Sequence, residues 1–171
     1  MENIHAKKKQ VLENEFDSDI SFSSEMEGKH LTFWTDNQLF AIPIASVEQI
    51  IGIQNIIAIP GFPNYVKGII NLRGNIIPVI DMRLRLNKQV AAYNERTCII
   101  VTNIQQHLFG LIVDAVDEVT RIDEASISMP PKVLDSEASA YLKGVAKLEN
   151  KVVLLLDTAK ILDNDEIQKT A

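Results

Sequence analysis

Apolar residues are not scattered along this chain. They come in short runs broken by turn residues, and the runs are rich in β-branched side chains, with 23 Ile and 13 Val in 171 residues. Such side chains are stiff at χ1 and pack well on a pleated surface. The runs predict ten strands: Leu31–Thr35, Leu39–Ile44, Ile50–Ile53, Lys67–Leu72, Ile76–Ile80, Thr97–Asn103, His107–Val113, Glu118–Ile122, Gly144–Leu148 and Val152–Leu156. Short strands separated by turns, with no helical period between them, point to small barrels or a sandwich rather than βαβ units. Asp36-Asn37 and Arg73-Gly74-Asn75 read as hairpin connections, because Asn and Gly tolerate positive φ. Ser126–Ser139, with Met129-Pro130-Pro131, is the longest loop, and Thr158–Lys169 carries a broken apolar stripe that suits a terminal helix.

The same pattern occurs twice. Phe40-Ala-Ile-Pro-Ile-Ala-Ser-Val-Glu-Gln-Ile50 aligns with Phe109-Gly-Leu-Ile-Val-Asp-Ala-Val-Asp-Glu-Val119 at an offset of 69. Tyr65-Val-Lys-Gly-Ile-Ile-Asn-Leu72 aligns with Tyr141-Leu-Lys-Gly-Val-Ala-Lys-Leu148 at an offset of 76, which continues through Ile76–Asp81 against Val152–Asp157. The difference of seven is an insertion in the proline loop, where insertions are tolerated. Two copies of one unit of about 65 residues predict two similar subdomains, each too small for a secure core and therefore packed together. The expected division is a mobile acidic tail over 1–27, a first β-barrel subdomain over 28–96, and a second over 97–171 with the C-terminal helix.

Composition narrows the function. The net charge is -6. Residues 1–27 carry three basic and seven acidic side chains, so the folded part is nearly neutral. A near-neutral domain does not have the positive surface that non-specific nucleic-acid binding requires. One cysteine, Cys98, excludes an internal disulfide framework. No apolar run approaches the ~20 residues that span a bilayer, and no secretory signal opens the sequence.

Candidate chemistry is sparse. His5, His30 and His107 have no ligand partner at metal spacing. Cys98 opens an Ile-rich strand without an identifiable base and reads as a small buried hydrophobe. Asp81 and Asp157 end equivalent strands, and their recurrence in both copies favours capping of the following turns over catalysis. Neither a cofactor nor a catalytic residue is expected. What remains is surface. Residues 65–96 hold Lys67, Arg73, Arg83, Arg85, Lys88 and Arg96 against Asp81 and Glu95, while 114–124 hold Asp114, Asp117, Glu118, Asp123 and Glu124 against Arg121. Opposite charge on homologous halves suits head-to-tail contacts with related domains. Arg73 sits at a hairpin tip where the other copy has Glu149, so the shared fold does not require it, and an exposed Arg on a rigid hairpin is a good partner anchor.

The segment Gly61-Phe-Pro-Asn-Tyr-Val-Lys-Gly-Ile-Ile-Asn-Leu-Arg-Gly-Asn-Ile-Ile-Pro-Val-Ile-Asp-Met-Arg83 closely resembles the signature of the CheW family of bacterial chemotaxis coupling proteins, and Phe109–Asp114 and Tyr141–Gly144 resemble its later motifs. The resemblance covers about Leu31 to Leu162. It implies a mainly all-β fold of two SH3-like five-stranded barrels with short helical turns, and a non-enzymatic cytoplasmic adaptor. The implied partners are the regulatory domain of the histidine kinase CheA and the cytoplasmic tip of chemoreceptors (methyl-accepting chemotaxis proteins), with neither nucleic acid nor membrane insertion. Receptor contact is expected in the groove between subdomains. Val47, Gln49, Gly68, Asn71, Arg73 and Gly74 are the implied receptor- or kinase-binding residues. The family usually reads Val-x-Glu-Ile where this chain has Val47-Glu48-Gln49-Ile50, which leaves open two contacts to Arg73 in place of the family's ion pair: a hydrogen bond from Gln49, at the usual position, or Glu48, one residue earlier. No receiver domain follows Leu162, so a CheV-type fusion is not expected. The alternatives are a related adaptor of a twitching-motility or other chemosensory pathway, a nucleic-acid-binding double barrel, and a small enzyme using Cys98.

Overall fold

The structure is a computed structural model and describes residues 25–130 and 137–162. Most of the expected tail, and the end of the expected helix beyond Leu162, lie outside the described residues. The described residues form eleven strands: β1 Lys29–Thr35, β2 Gln38–Pro43, β3 Val47–Gly52, β4 Val66–Leu72, β5 Asn75–Asp81, β6 Cys98–Ile104, β7 His107–Val113, β8 Ala115–Arg121, β9 Ile127–Ser128, β10 Leu142–Leu148 and β11 Lys151–Leu156. All ten expected strands are present with ends shifted by a few residues. The additional two-residue strand, β9, falls in the expected long loop. Among the described residues helix is limited to short turns, which include α1 Met82–Arg85 and α2 Thr158–Ile161.

The strands form two sheets. Sheet I runs β8-β1-β2-β11-β10-β9 and sheet II runs β3-β6-β7-β5-β4. Each contains one parallel pair, β2 with β11 and β5 with β7, and is otherwise antiparallel. The repeat is visible in the register, since β8-β1-β2-β11-β10 superposes in order on β3-β6-β7-β5-β4. It also shows that the hairpins are exchanged. The β1–β2 hairpin of the first copy lies in the sheet of the second, and β6–β7 of the second lies in the sheet of the first. The residue boundary expected at 96/97 is therefore not a boundary between sheets. Sheet II is built from the continuous stretch Val47–Val113, and sheet I from the two stretches that flank it. The chain crosses between them at the 3₁₀ turn Ile44–Ser46 and again at Asp114.

The exchange explains why the central strands are so apolar. β2 and β7 are covered on both faces, which requires a nearly continuous hydrophobic run. Alternation then divides their side chains. Phe40 and Ile42 enter a central cluster with Leu31, Phe33, Ile80, Ile100, Phe109, Leu111 and Leu156, which draws on both sheets. Leu39 and Ala41 join Ile122, Ala146, Val153 and Leu155 inside sheet I. Ile70, Ile77, Val79, Ile99, Val101 and Ile112 form the matching cluster of sheet II. At about 1.5–3 kcal/mol for each fully buried large side chain, the shared central cluster holds the two sheets together.

Candidate partner-binding site

The β4–β5 hairpin turns through Arg73 at φ 52° and Gly74 at φ 87°. Two successive left-handed residues match the right-handed twist of the flanking strands, the geometry of a tight two-residue hairpin. Asn71 fixes the turn, its Oδ1 accepting from the Gly74 N–H at 2.9 Å. Asn71, Arg73 and Gly74 are all exposed. The Arg73 guanidinium makes no ion pair or hydrogen bond among the described residues. Its counterpart Glu149 adopts the same backbone state at φ 47°. The turn thus accepts either charge, and the Arg is not there for the fold.

Gly68 lies further back on β4 at a register shift. It is a glycine because the chain crosses directly over it: a Cβ there would stand 2.0 Å from the Ile57 carbonyl oxygen. Ile57 and Ile69 exchange two backbone hydrogen bonds of 2.9 Å across this point and cover the edge of β4.

Val47 and Gln49 lie on β3, half-buried, at the opposite margin of sheet II from β4. Gln49 is not bonded to Arg73, which corrects the expected contact. Glu48 does not bond Arg73 either; its carboxylate accepts from Asn103 Nδ2 at 3.2 Å. A register shift between Val47 and Gln49 lets both pack inward while Glu48 faces out. Val47 and its repeat counterpart Val116 both pack against the central cluster. The edge strands β3 and β8 therefore both start at the seam between the sheets.

Two features escape a reading of the strand runs. The first is a pair of repeat-related aliphatic positions turned outward. Ile50 and Val119 are 45% and 51% exposed, on the edge strands, while Ile76 and Val152 are 61% and 59% exposed, just past the hairpin tips. The sequence does carry a signal for three of them. Ile50-Ile51, Ile76-Ile77 and Val152-Val153 are adjacent β-branched pairs in strands, and alternation sends one of each pair to solvent. Ile77 and Val153 are indeed fully buried.

The second is that the basic and acidic stretches partly neutralise each other within the molecule. Arg83 donates from Nε and Nη2 to both oxygens of Asp114 at 2.9 and 2.6 Å, and from Nη1 to Asp36 at 3.4 Å. Burial works to raise the Asp114 carboxyl, but the Arg83 guanidinium and the Asp36 N–H outweigh it and hold its pKa below the usual value. Lys88 reaches Gln38 at 2.7 Å and Asp36 at 3.5 Å. Arg85 is stacked between Tyr65 and Tyr141, 4.2 and 4.7 Å from the ring centroids. Three of the six basic residues of 65–96 are thus turned onto sheet I.

Asp81 and Asp157 cap α1 and α2. Asp81 Oδ1 accepts from the Arg83 and Leu84 N–H groups at 2.9 and 3.4 Å, and Asp157 Oδ1 from the Lys160 N–H at 3.3 Å. The second oxygen of Asp81 accepts from the Tyr93 hydroxyl at 2.8 Å. Cys98 is half-buried, and burial raises its thiol pKa, the opposite of what a nucleophile needs. Among the described residues no group of three His, Cys, Asp or Glu could hold a metal, and no helix is long and apolar enough to cross a membrane.

The profile of the CheW-like domain matches residues 29–166. Among similar proteins, the chemotaxis protein CheW of Klebsiella aerogenes is 34% identical over 137 residues, covering 80% of this chain and 82% of that protein. Protein FrzA of Myxococcus xanthus is 24% identical over 148 residues, covering 85% and 92%. The crystal structure of the scaffolding protein TtCheW from Thermoanaerobacter tengcongensis superposes with a TM-score of 0.75 at 35% identity, covering 81% of this chain and 94% of that one. The fold, the repeated motifs and the length matched agree: the chain belongs to the CheW-like family and is a chemotaxis scaffold of the CheW kind.

Proposed function

We propose that this chain is a non-enzymatic cytoplasmic adaptor that couples chemoreceptors to the histidine kinase CheA and joins membrane receptor arrays only through these partners. The observation that carries the reading is the pairing of a rigidly presented Arg73, unpartnered among the described residues, with repeat-related outward aliphatics, two on edge strands and two beside hairpin tips. A central apolar contact with a charged rim is how protein partners are anchored. The regulatory domain of the kinase, which resembles this family, meets one such face. The helical tip of a receptor lies with its apolar side along the seam where β3 and β8 begin, as an amphipathic helix lies in a groove. Val47 and Gln49 line the groove side and Asn71, Arg73 and Gly74 the hairpin tip, while Gly68 serves that tip from behind, by admitting the Ile57 crossing over β4. The adaptor's effect is a coupling free energy, by which receptor state biases kinase state.

The likeness to FrzA supports a second reading, an adaptor of the same build serving a twitching-motility or other chemosensory pathway. Co-purification with the native kinase identifies which. The site is tested by Arg73→Glu. Because Glu149 occupies the equivalent turn, the variant keeps its fold and thermal transition, and it loses about tenfold or more in affinity for the kinase regulatory domain or the receptor tip. Wild-type capture of both partners by the variant would overturn the site assignment.

A further inference from the structure

Three cations of sheet II make polar contacts to sheet I from one place. Helix α1 and the residue three beyond it carry Arg83, Arg85 and Lys88, and all three reach across from sheet II. Arg83 and Lys88 hold Asp36 and Gln38 at the tip of the β1–β2 hairpin, and Arg83 also holds Asp114, where the chain crosses back to sheet I. Arg85 lies between Tyr65, which precedes β4, and Tyr141, which precedes β10, and its Nε donates to the Ile161 carbonyl of α2 at 2.8 Å. The two tyrosines are repeat-related. Each accepts at its carbonyl the N–H of a capping aspartate, Asp81 or Asp157, at 2.8 Å. Arg85 therefore stands on the approximate two-fold relation between the copies and touches equivalent points on both sides.

The second copy has no such set. At the positions of Arg83, Arg85 and Lys88 it carries Ala159, Ile161 and Asn164. The repeated fold does not demand these cations, so they serve the junction. The central hydrophobic cluster draws the sheets together but is non-directional, whereas a planar guanidinium stacked between two rings and bonded to a carbonyl has one orientation. We infer that Arg83, Arg85 and Lys88 are positioning residues that set the angle between the two sheets and thereby the width of the seam at Val47 and Val116. The step from seam width to partner affinity rests on the adaptor reading; the step from clamp to angle does not.

Residual dipolar couplings of ¹⁵N-labelled protein separate the two. In the wild type, the N–H couplings of sheet I and of sheet II fit one alignment tensor. In Arg85→Leu each sheet still fits its own backbone, but the two no longer share a tensor. Arg85→Lys, which keeps the charge and loses the planar stack, behaves in the same way and carries the test if the Leu variant unfolds. A single shared tensor at the wild-type angle in a folded variant overturns the inference, even if the melting temperature has dropped, because that is all a merely stabilising contact would do. Affinity for a receptor-tip hairpin is measured alongside, with a loss of about tenfold expected. A changed angle with unchanged receptor affinity leaves the clamp standing and removes the seam as the receptor site.

Discussion

Gly68 and Gly144 occupy equivalent repeat positions, both at register shifts, and the structure assigns them different costs on substitution by alanine. At Gly68 the new methyl meets backbone: the Ile57 carbonyl oxygen at 2.0 Å and its carbon at 2.6 Å. Side-chain rotation cannot relieve this, so the Ile57–Ala58 crossing must move by at least an ångström. That breaks both Ile57–Ile69 hydrogen bonds, worth about 1 kcal/mol each. The backbone of Gly68, at φ 148°, also lies where a side chain is strained, at about 1 kcal/mol more. The expected loss is about 3 kcal/mol, or about 10 °C in Tm for a domain of this size. At Gly144 the closest atom is the Ile127 Cγ2 at 2.5 Å, the end of a side chain, with the Ser128 oxygen at 3.2 Å and no left-handed backbone. Repacking one isoleucine costs about 1 kcal/mol, partly offset by the smaller entropy of the unfolded alanine chain. Urea unfolding of the two variants measures the difference directly, with equal m-values required for the comparison. If Gly144→Ala is as costly as Gly68→Ala, or if Gly68→Ala is neutral, the backbone crossing is not what demands glycine. The result also bears on function, since a binding defect in Gly68→Ala then comes through displacement of the Ile57 crossing rather than through loss of a direct contact.

Two further outcomes follow from the polar sites. Because the Asp114 pKa is depressed in the folded state, its pairing contributes stability above the ordinary carboxylate pKa near 4 that is lost as pH falls through the folded value; Arg83→Gln lowers stability at pH 7 and flattens the acid limb of the stability–pH curve, read by thermal melts from pH 7 to 2.5. Burial first, and then the bond to Asp81, push the Tyr93 phenol far above its ordinary value, so its contribution is full below pH ~10 and falls as pH rises beyond it. Tyr93→Phe leaves an Asp81 oxygen without its donor, costs about 1–2 kcal/mol at pH 7, and removes one late-titrating tyrosine from the alkaline absorbance titration; an unchanged titration would show that Tyr93 does not titrate late.

Much of this architecture is legible in the chain. The β-branched runs mark ten strands because most of these strands have at least one buried face, and the edge strands β3 and β8 have at least a half-buried one. The Tyr-x-Lys-Gly repeats mark the two copies, and Asp81 at the end of β5 and Asp157 just past β11 do cap the turns that follow. β9 is not legible, because two residues beside a Pro-Pro loop carry no periodicity. Nor is the partition between sheets, since exchanging a hairpin between two similar units leaves the pattern of apolar positions the same. The Gln105-Gln106 turn, at φ 52° and 67°, has none of the Gly or Asn that announces such a turn; strand pairing imposes it. Of the site residues, Asn71, Arg73 and Gly74 are brought together on one tip, as their adjacency requires. Gln49 is not brought to Arg73, because β3 and β4 are opposite margins of the sheet. The charge contrast between the halves is real in sequence, but where it is spent depends on the crossing at Asp114, which only the fold reveals.

The exchanged hairpin also sets an order of assembly on a chain made from its N-terminus. All strands of sheet II have been synthesised once Val113 has emerged, and their pairings span a single continuous stretch. The β1–β2 hairpin emerges before any of them, yet its neighbours β8 and β11 are not complete until Leu156. From its emergence onward, a segment carrying Leu31, Phe33, Phe40 and Ile42 must wait for the last strands of the domain. Pairings this distant in sequence form slowly, and an apolar hairpin held without its neighbours is open to mispairing with another nascent copy. The feature that gives the folded protein one shared core leaves the growing chain with its most exposed edge at the start.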